Sequence, residues 1–195
     1  MVLFEHVDGA TPIEDASGLI PELYTKAELD EWEAVNILKA IRKYLSGKGK
    51  FRADIERLKK VHKDMFDDTW KWAGKFRDSN VGIGVDWPLI PEKVKNLIDD
   101  IKFWGNDSSG LTVFEQSIRI HHRLVSIHPF KNGNGRHARL MADIFLRAHN
   151  EKLPDWPDFK LIKENNMRDE YIKALKEADR GNYDFLEGFT KQLME

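Results

Sequence analysis

Apolar residues in this chain recur mostly at helical spacing. Thr25 and Glu28 have the Thr-x-x-Glu spacing of a capping box and predict a helix start. The helix runs over residues 26–45. Leu29, Trp32, Val35 (or Asn36), Leu38 (or Lys39), Ile41 and Leu45 form one buried stripe. Ser46-Gly47-Lys48-Gly49 ends it. A second helix is read over 52–72 from Ile55, Leu58, Val61 (or His62), Met65 and Trp72. His62 is taken as a packing or surface residue with no metal role. Between 76 and 88 the period changes to two around Val81, Ile83 and Val85, with Gly82 and Gly84 interleaved, which predicts a short hairpin. Pro91 suits a helix first turn, and Val94, Leu97, Ile98, Ile101 and Trp104 continue that helix. Thr112 and Glu115 make another capping box. Phe114, Ile118, His121, Val125 and His128 then share one face. The final helices are read over 159–178 and 183–193, and residues 1–24, with Gly9, Pro12, Gly18 and Pro21, as an arm with turns packed on a single domain of 25–195.

Composition narrows the class. A chain of 195 residues, 41% apolar and 33% charged, is long enough for one domain with a real core. A net charge of −2 gives no strong pull toward nucleic acid or anionic membrane. The absence of cysteine excludes disulfides, thiolate metal sites and a cysteine nucleophile. The N-terminus has no basic region followed by an apolar run, and no stretch is apolar for long enough to span a bilayer, so a cytoplasmic protein is expected.

The chemistry concentrates in His128-Pro129-Phe130-Lys131-Asn132-Gly133-Asn134-Gly135-Arg136-His137-Ala138-Arg139, a polar loop between two helical runs. Pro129 disfavours helical geometry at the preceding residue, so the first helix ends near His128 and can aim its imidazole into a cleft. Gly133 and Gly135 flank Asn134 where the next helix begins. Helix-start amides and the positive end of the dipole suit an anion. Arg136 and Arg139 lie on one face of that first turn, where cations oppose the macrodipole. An anion held between them, such as a polyphosphate, relieves that conflict.

This loop resembles the signature of the Fic family, His-Pro-Phe-x-(Asp/Glu)-Gly-Asn-Gly-Arg-x-x-Arg, and departs from it at Asn132. Trp72-Ala73-Gly74-Lys75-Phe76-Arg77 resembles the family segment that opens a "flap", and Tyr171 to Tyr183 resembles in part its C-terminal motif. The whole pattern is similar to small Fic proteins of the "mobile mystery protein B" type. The resemblance implies an all-α helical bundle with one short β-hairpin flap, Val81, Gly82, Ile83 and Gly84 holding a target segment by strand addition. It implies transfer of AMP from ATP, with Mg²⁺, to a Ser, Thr or Tyr hydroxyl of a protein substrate. His128 would be the general base and Phe130 the loop's anchor. Gly133, Asn134 and Gly135 would line the anion hole, Arg136 and Arg139 hold the β- and γ-phosphates, and Tyr171 contact the base. Asn132 stands where the family's acidic residue helps hold Mg²⁺, and an amide oxygen is an uncharged, weaker ligand. The related Doc branch, which transfers a phosphoryl group, tolerates Asn here, so phosphoryl transfer is the nearest alternative, and a non-catalytic ATP-binding module the next. Some family members carry an inhibitory glutamate. Glu33 and Glu187 are the candidates here, each fits the family pattern only in part, and both read as ordinary solvated helix residues. An inhibitory or helix-turn-helix partner protein and a homodimer complete the partners that the resemblance leaves open.

Overall fold

The computed structural model describes residues 18–47, 49–106, 109–157 and 166–195. Its helices are α1 (Lys26–Leu45), α2 (Ile55–Phe66), α3 (Ile90–Trp104), α4 (Val113–Ile127), α5 (Asn134–Ala148), α6 (Met167–Asp179) and α7 (Asp184–Gln192). The start of the helix read over 159–178 lies outside the described residues. The described part of the N-terminal arm docks on the turn after α2: Ile20 N–H donates to the Thr69 carbonyl at 2.9 Å, and Lys71 N–H to the Gly18 carbonyl at 2.8 Å.

Both capping boxes form. Thr25 and Thr112 each accept from the amide three residues on, and Glu28 and Glu115 reach back to the cap amide. α2 is shorter than the 52–72 span. Asp54 caps it by accepting from Arg57 N–H at 2.7 Å, and it ends at Phe66. Trp70 and Trp72, counted as helix, belong to the turn beyond and stack at 5.1 Å between ring centroids.

The stripe on α1 is turned from the expected one. Leu29, Glu33, Asn36, Ile37, Ala40 and Tyr44 are buried, while Trp32, Val35 and Leu38 are exposed. The polar members go inward because each finds partners there. Trp70 Nε1 donates to Glu33 at 2.7 Å, and Asn36 accepts from Asp68 N–H at 3.1 Å. A satisfied polar group can be buried without the penalty that a bare one incurs.

The hairpin expected between 76 and 88 does not form. Among the described residues there are only isolated bridges, Leu19 with Trp70 and Phe76 with Phe130, and residues 79–86 form a loop. Gly82 (φ 77°) and Gly84 (φ 84°) are left-handed, which destroys the alternation a ladder needs. Ser79 and Val85, on the two arms, turn their carbonyls to one guanidinium, that of Arg77, rather than to an opposing strand.

The main core joins α1 to α5, and a smaller one, around Ile118, Ala174, Leu175, Ala178 and Leu186, seats α6 and α7 on α4. The α4–α5 junction is at their meeting point. His128 closes α4 with φ 54°, its amide donating to the Leu124 carbonyl at 3.1 Å. This conformation is uncommon outside glycine, and Pro129 excludes the ordinary helical one. Gly133 (φ 75°) opens α5, and a Cβ there would stand 2.6 Å from Phe66 Cε2. Gly133→Ala is therefore expected to destabilise the fold by about 1–3 kcal/mol, from backbone strain plus overpacking. Urea unfolding checks this: the midpoint should fall with the slope unchanged.

Candidate active site

Three buried polar side chains fix the loop. Asn134 is 2% exposed and clasps Phe130 at two points, its Oδ1 accepting from the Phe130 amide and its Nδ2 donating to the Phe130 carbonyl, both at 2.8 Å. Its side chain is thus occupied in holding the loop, and only its amide is placed to line an anion hole. His62 accepts from Gly74 N–H at Nδ1 (3.0 Å), so its Nε2 carries the proton and donates to the Asn132 carbonyl (3.0 Å). It also stacks on Phe130, ring centroids 3.7 Å apart. Burial holds its pKa well below the ordinary value, so the ring stays neutral. Arg77 donates through Nε to the His128 carbonyl (2.7 Å), through Nη1 to Ser79 (2.9 Å) and through Nη2 to Val85. One cation thereby ties both arms of the 79–86 loop to the catalytic candidate. Gly84 lies against His128, where a Cβ would fall 2.9 Å from the Ile127 carbonyl.

His128 is buried, and burial lowers its pKa to about 4 despite a hydrogen bond to the Val125 carbonyl that pulls the other way. The neutral ring donates one N–H to Val125, which leaves the other nitrogen as an acceptor. That is the state a proton-abstracting base requires.

No side chain caps α5. Its first-turn amides have no acceptor within the helix, and the dipole adds positive potential at the same end. Gly135 has open space at its Cβ position. Arg136 and Arg139 follow. Arg139 lies over Trp156, 5.5 Å from the ring centroid, and burial lowers its pKa. Asp143, one turn on, accepts from Trp156 Nε1 at 3.0 Å, and burial raises its pKa to about 7. Tyr171 is brought to the same side. Its hydroxyl meets His121 Nε2 at 2.8 Å, and burial raises its pKa to about 12.

Glu33 is the largest departure from expectation. It is 4% exposed, not solvated, and its Oε2 accepts from Arg136 Nη1 at 2.6 Å while Oε1 accepts from Trp70. Glu187 instead faces Lys191 at 3.6 Å on its own helix. Asn132 Oδ1 accepts from Gly133 N–H at 2.6 Å. No group of three or more His, Asp or Glu among the described residues could hold a metal ion.

Sequence reasoning missed Arg77, Asp143 and Trp156, and it read His62 as packing or surface without its bond to the loop. Arg77 stood inside the recognised Trp72–Arg77 segment, and that position was the one available signal.

Residues 52–146 match the model of the Fic/DOC family. Over 76 residues the chain is 41% identical to Protein adenylyltransferase fic-1 of Caenorhabditis elegans, covering 38% of this chain and 15% of that protein. Over 113 residues it is 32% identical to Protein adenylyltransferase Fic of Drosophila virilis, 56% of this chain and 22% of that one. The matches thus span under a quarter of those relatives' length. Among solved structures, the BepC protein of Bartonella tribocorum with bound AMPPNP superposes with a TM-score of 0.68 at 19% identity, over 93% of this chain and 94% of that one. Fic-1 of C. elegans (residues 134–508) gives 0.69 at 23%, over 93% and 53%. At these identities the structures show a shared fold. Among the described residues, no helix is long and apolar enough to cross a membrane.

Asp143 yields a pH prediction. Its folded pKa, about 7, lies above the ordinary 3.8, so folding favours the protonated acid and its contribution is lost as pH rises between those values. Asp143→Asn should match wild type in stability near pH 4, gain on it progressively up to about pH 7, and keep a constant lead above. Denaturant midpoints across pH measure this, and a lead independent of pH would contradict it.

Proposed function

We propose that this chain, which carries a Fic/DOC-family domain, is a protein adenylyltransferase that uses Mg-ATP as substrate. The observation that carries the reading is one juxtaposition. A neutral, backbone-oriented His128 ends α4, and five to eleven residues on stand Gly133, Gly135, Arg136 and Arg139 at the uncapped start of α5. The residues that match the Fic/DOC family model, 52–146, include this stretch.

In the reaction a Ser, Thr or Tyr hydroxyl of a target protein attacks the α-phosphorus. The new bond is O–P, the α–β phosphoanhydride bond breaks, pyrophosphate leaves, and the hydroxyl proton passes to His128. Amides of the α5 first turn, with Gly135 open to close approach, stabilise the phosphate oxygens. Arg136 and Arg139 hold the β- and γ-phosphates. The Asn132 amide oxygen is at most a weak ligand to the nucleotide's metal. Tyr171, beside Arg139, borders the nucleotide's far side. Val81 to Gly84, held over His128 by Arg77, meet the target segment.

Glu33 makes the resting site self-blocked in this reading. Its carboxylate occupies Arg136, the guanidinium that a phosphate would take. A ligand must displace it, so the pair costs nucleotide affinity.

Phosphoryl transfer has one observation in its favour, the uncharged Asn132, and a single experiment separates the readings. Purified protein is incubated with Mg²⁺, a cell lysate and ATP labelled at either the α- or the γ-phosphate, beside His128→Ala. Label from α-ATP on protein, at least a hundredfold weaker in His128→Ala, is expected. Label from γ-ATP alone would establish the Doc-like chemistry, and equal labelling in the mutant would end the base assignment. Glu33→Gln should label faster than wild type, by a factor of ten or more if the ion pair holds back about 1.4 kcal/mol of nucleotide affinity. An unchanged rate at sub-saturating ATP would remove Glu33 from regulation.

A further inference from the structure

α1 buries Glu33 on one side and leaves an ordered surface on the other. Trp32, Val35 and Leu38 are 46%, 52% and 45% exposed. Glu28 and Glu31 precede them on that face, and Lys39 and Arg42 follow, all exposed. At about 100° per residue these seven positions fall within an arc of roughly 120°. Their order is symmetric about Val35. Glu28 is as far before it as Arg42 is after, Glu31 matches Lys39, and Trp32 matches Leu38. Every acid has a base at the mirror position, and every apolar residue an apolar one.

We propose that the chain forms a two-fold dimer by packing α1 antiparallel on α1 of a second copy, with the axis passing Val35. In that arrangement Val35 meets Val35, Trp32 meets Leu38, Glu31 meets Lys39 and Glu28 meets Arg42, each contact made twice, as an isologous interface requires. The charges choose both partner and direction. A parallel pair would set Glu28 on Glu28, Glu31 on Glu31 and Arg42 on Arg42. Contacts within the chain limit the freedom of two of the charged groups: Glu28 is fixed by the Tyr24 and Thr25 amides (both 2.9 Å), and Lys39 pairs with Asp68 (2.6 Å) while it stays mostly exposed. Trp32 is likewise oriented, its Nε1 donating to the Asp68 carbonyl at 3.2 Å. The strip is narrow: a helix of 20 residues is about 30 Å long. The interface is accordingly at the small end of specific contacts, and the dimer is reversible. Exposed ion pairs give it register more than strength. The proposal stands apart from the transfer chemistry.

Sedimentation velocity over a concentration series tests it, with charge exchange as the discriminating variant. Wild type should shift from monomer toward dimer as concentration rises. Glu31→Lys alone and Lys39→Glu alone should abolish the shift, and the double exchange should restore it. The chain has no cysteine, so Val35→Cys and Arg42→Cys each add a lone thiol. A short bis-maleimide should link Val35→Cys into a dimer and leave Arg42→Cys unlinked, because those two thiols would stand about 20 Å apart. Helical circular dichroism confirms that each variant is folded. A wild type that stays monomeric overturns the proposal, whether the face is bare or covered by the chain's own first residues. So does a dimer indifferent to both single exchanges, or equal cross-linking at 35 and 42, which would mean another surface or a parallel pair.

Discussion

A loop that exposes its amides to a ligand has to turn carbonyls and side chains inward, and those buried groups need partners. The fold depends here on meeting that demand. Leaving one such group unpaired costs about 1–3 kcal/mol, and the loop presents several. Asn134 answers both polar groups of Phe130, His62 answers the Asn132 carbonyl, and Arg77 answers the carbonyls of His128, Ser79 and Val85. With these met, His128 can sit in its left-handed conformation and Gly133 can open α5 against Phe66. Asn134, His62 and Arg77 thus brace the backbone of the loop from beneath.

The same reasoning explains why Glu33 matters. A buried ion pair gains little net stability, since desolvation offsets much of the attraction. Its carboxylate and Arg136 are held by geometry rather than by large energy. A phosphate offers the guanidinium a comparable partner, and Glu33 would keep Trp70 as a donor. In the proposed reading, the site is thereby arranged for an exchange of anions.

How much of this was legible in the sequence divides by the range of the interactions. Local signals were readable. Thr25 and Thr112 announced their helices, Pro129 the end of α4, and the glycines the start of α5. Partners distant in sequence were not. Glu33 counts as polar in any periodic pattern and Asn36 stands only as an alternative to Val35, so the periodicity favours Trp32, Val35 and Leu38, and the real inward face depends on Trp70, Arg136 and Asp68. The alternation of Val81, Ile83 and Val85 looked like a hairpin, but a cation from outside that run replaces its ladder. His62 acts on a carbonyl seventy positions away, which no spacing rule could indicate.

A phosphate cradle at the start of α5 binds Mg-ATP whether or not turnover follows. Calorimetric titration of Mg-ATP into His128→Ala, and into the same protein with Arg139→Gln, isolates that step. Saturable binding by the first protein is expected, and at least tenfold weaker binding by the second, about 1.4 kcal/mol. Absence of binding in the first, or equal affinity in the two, would contradict it.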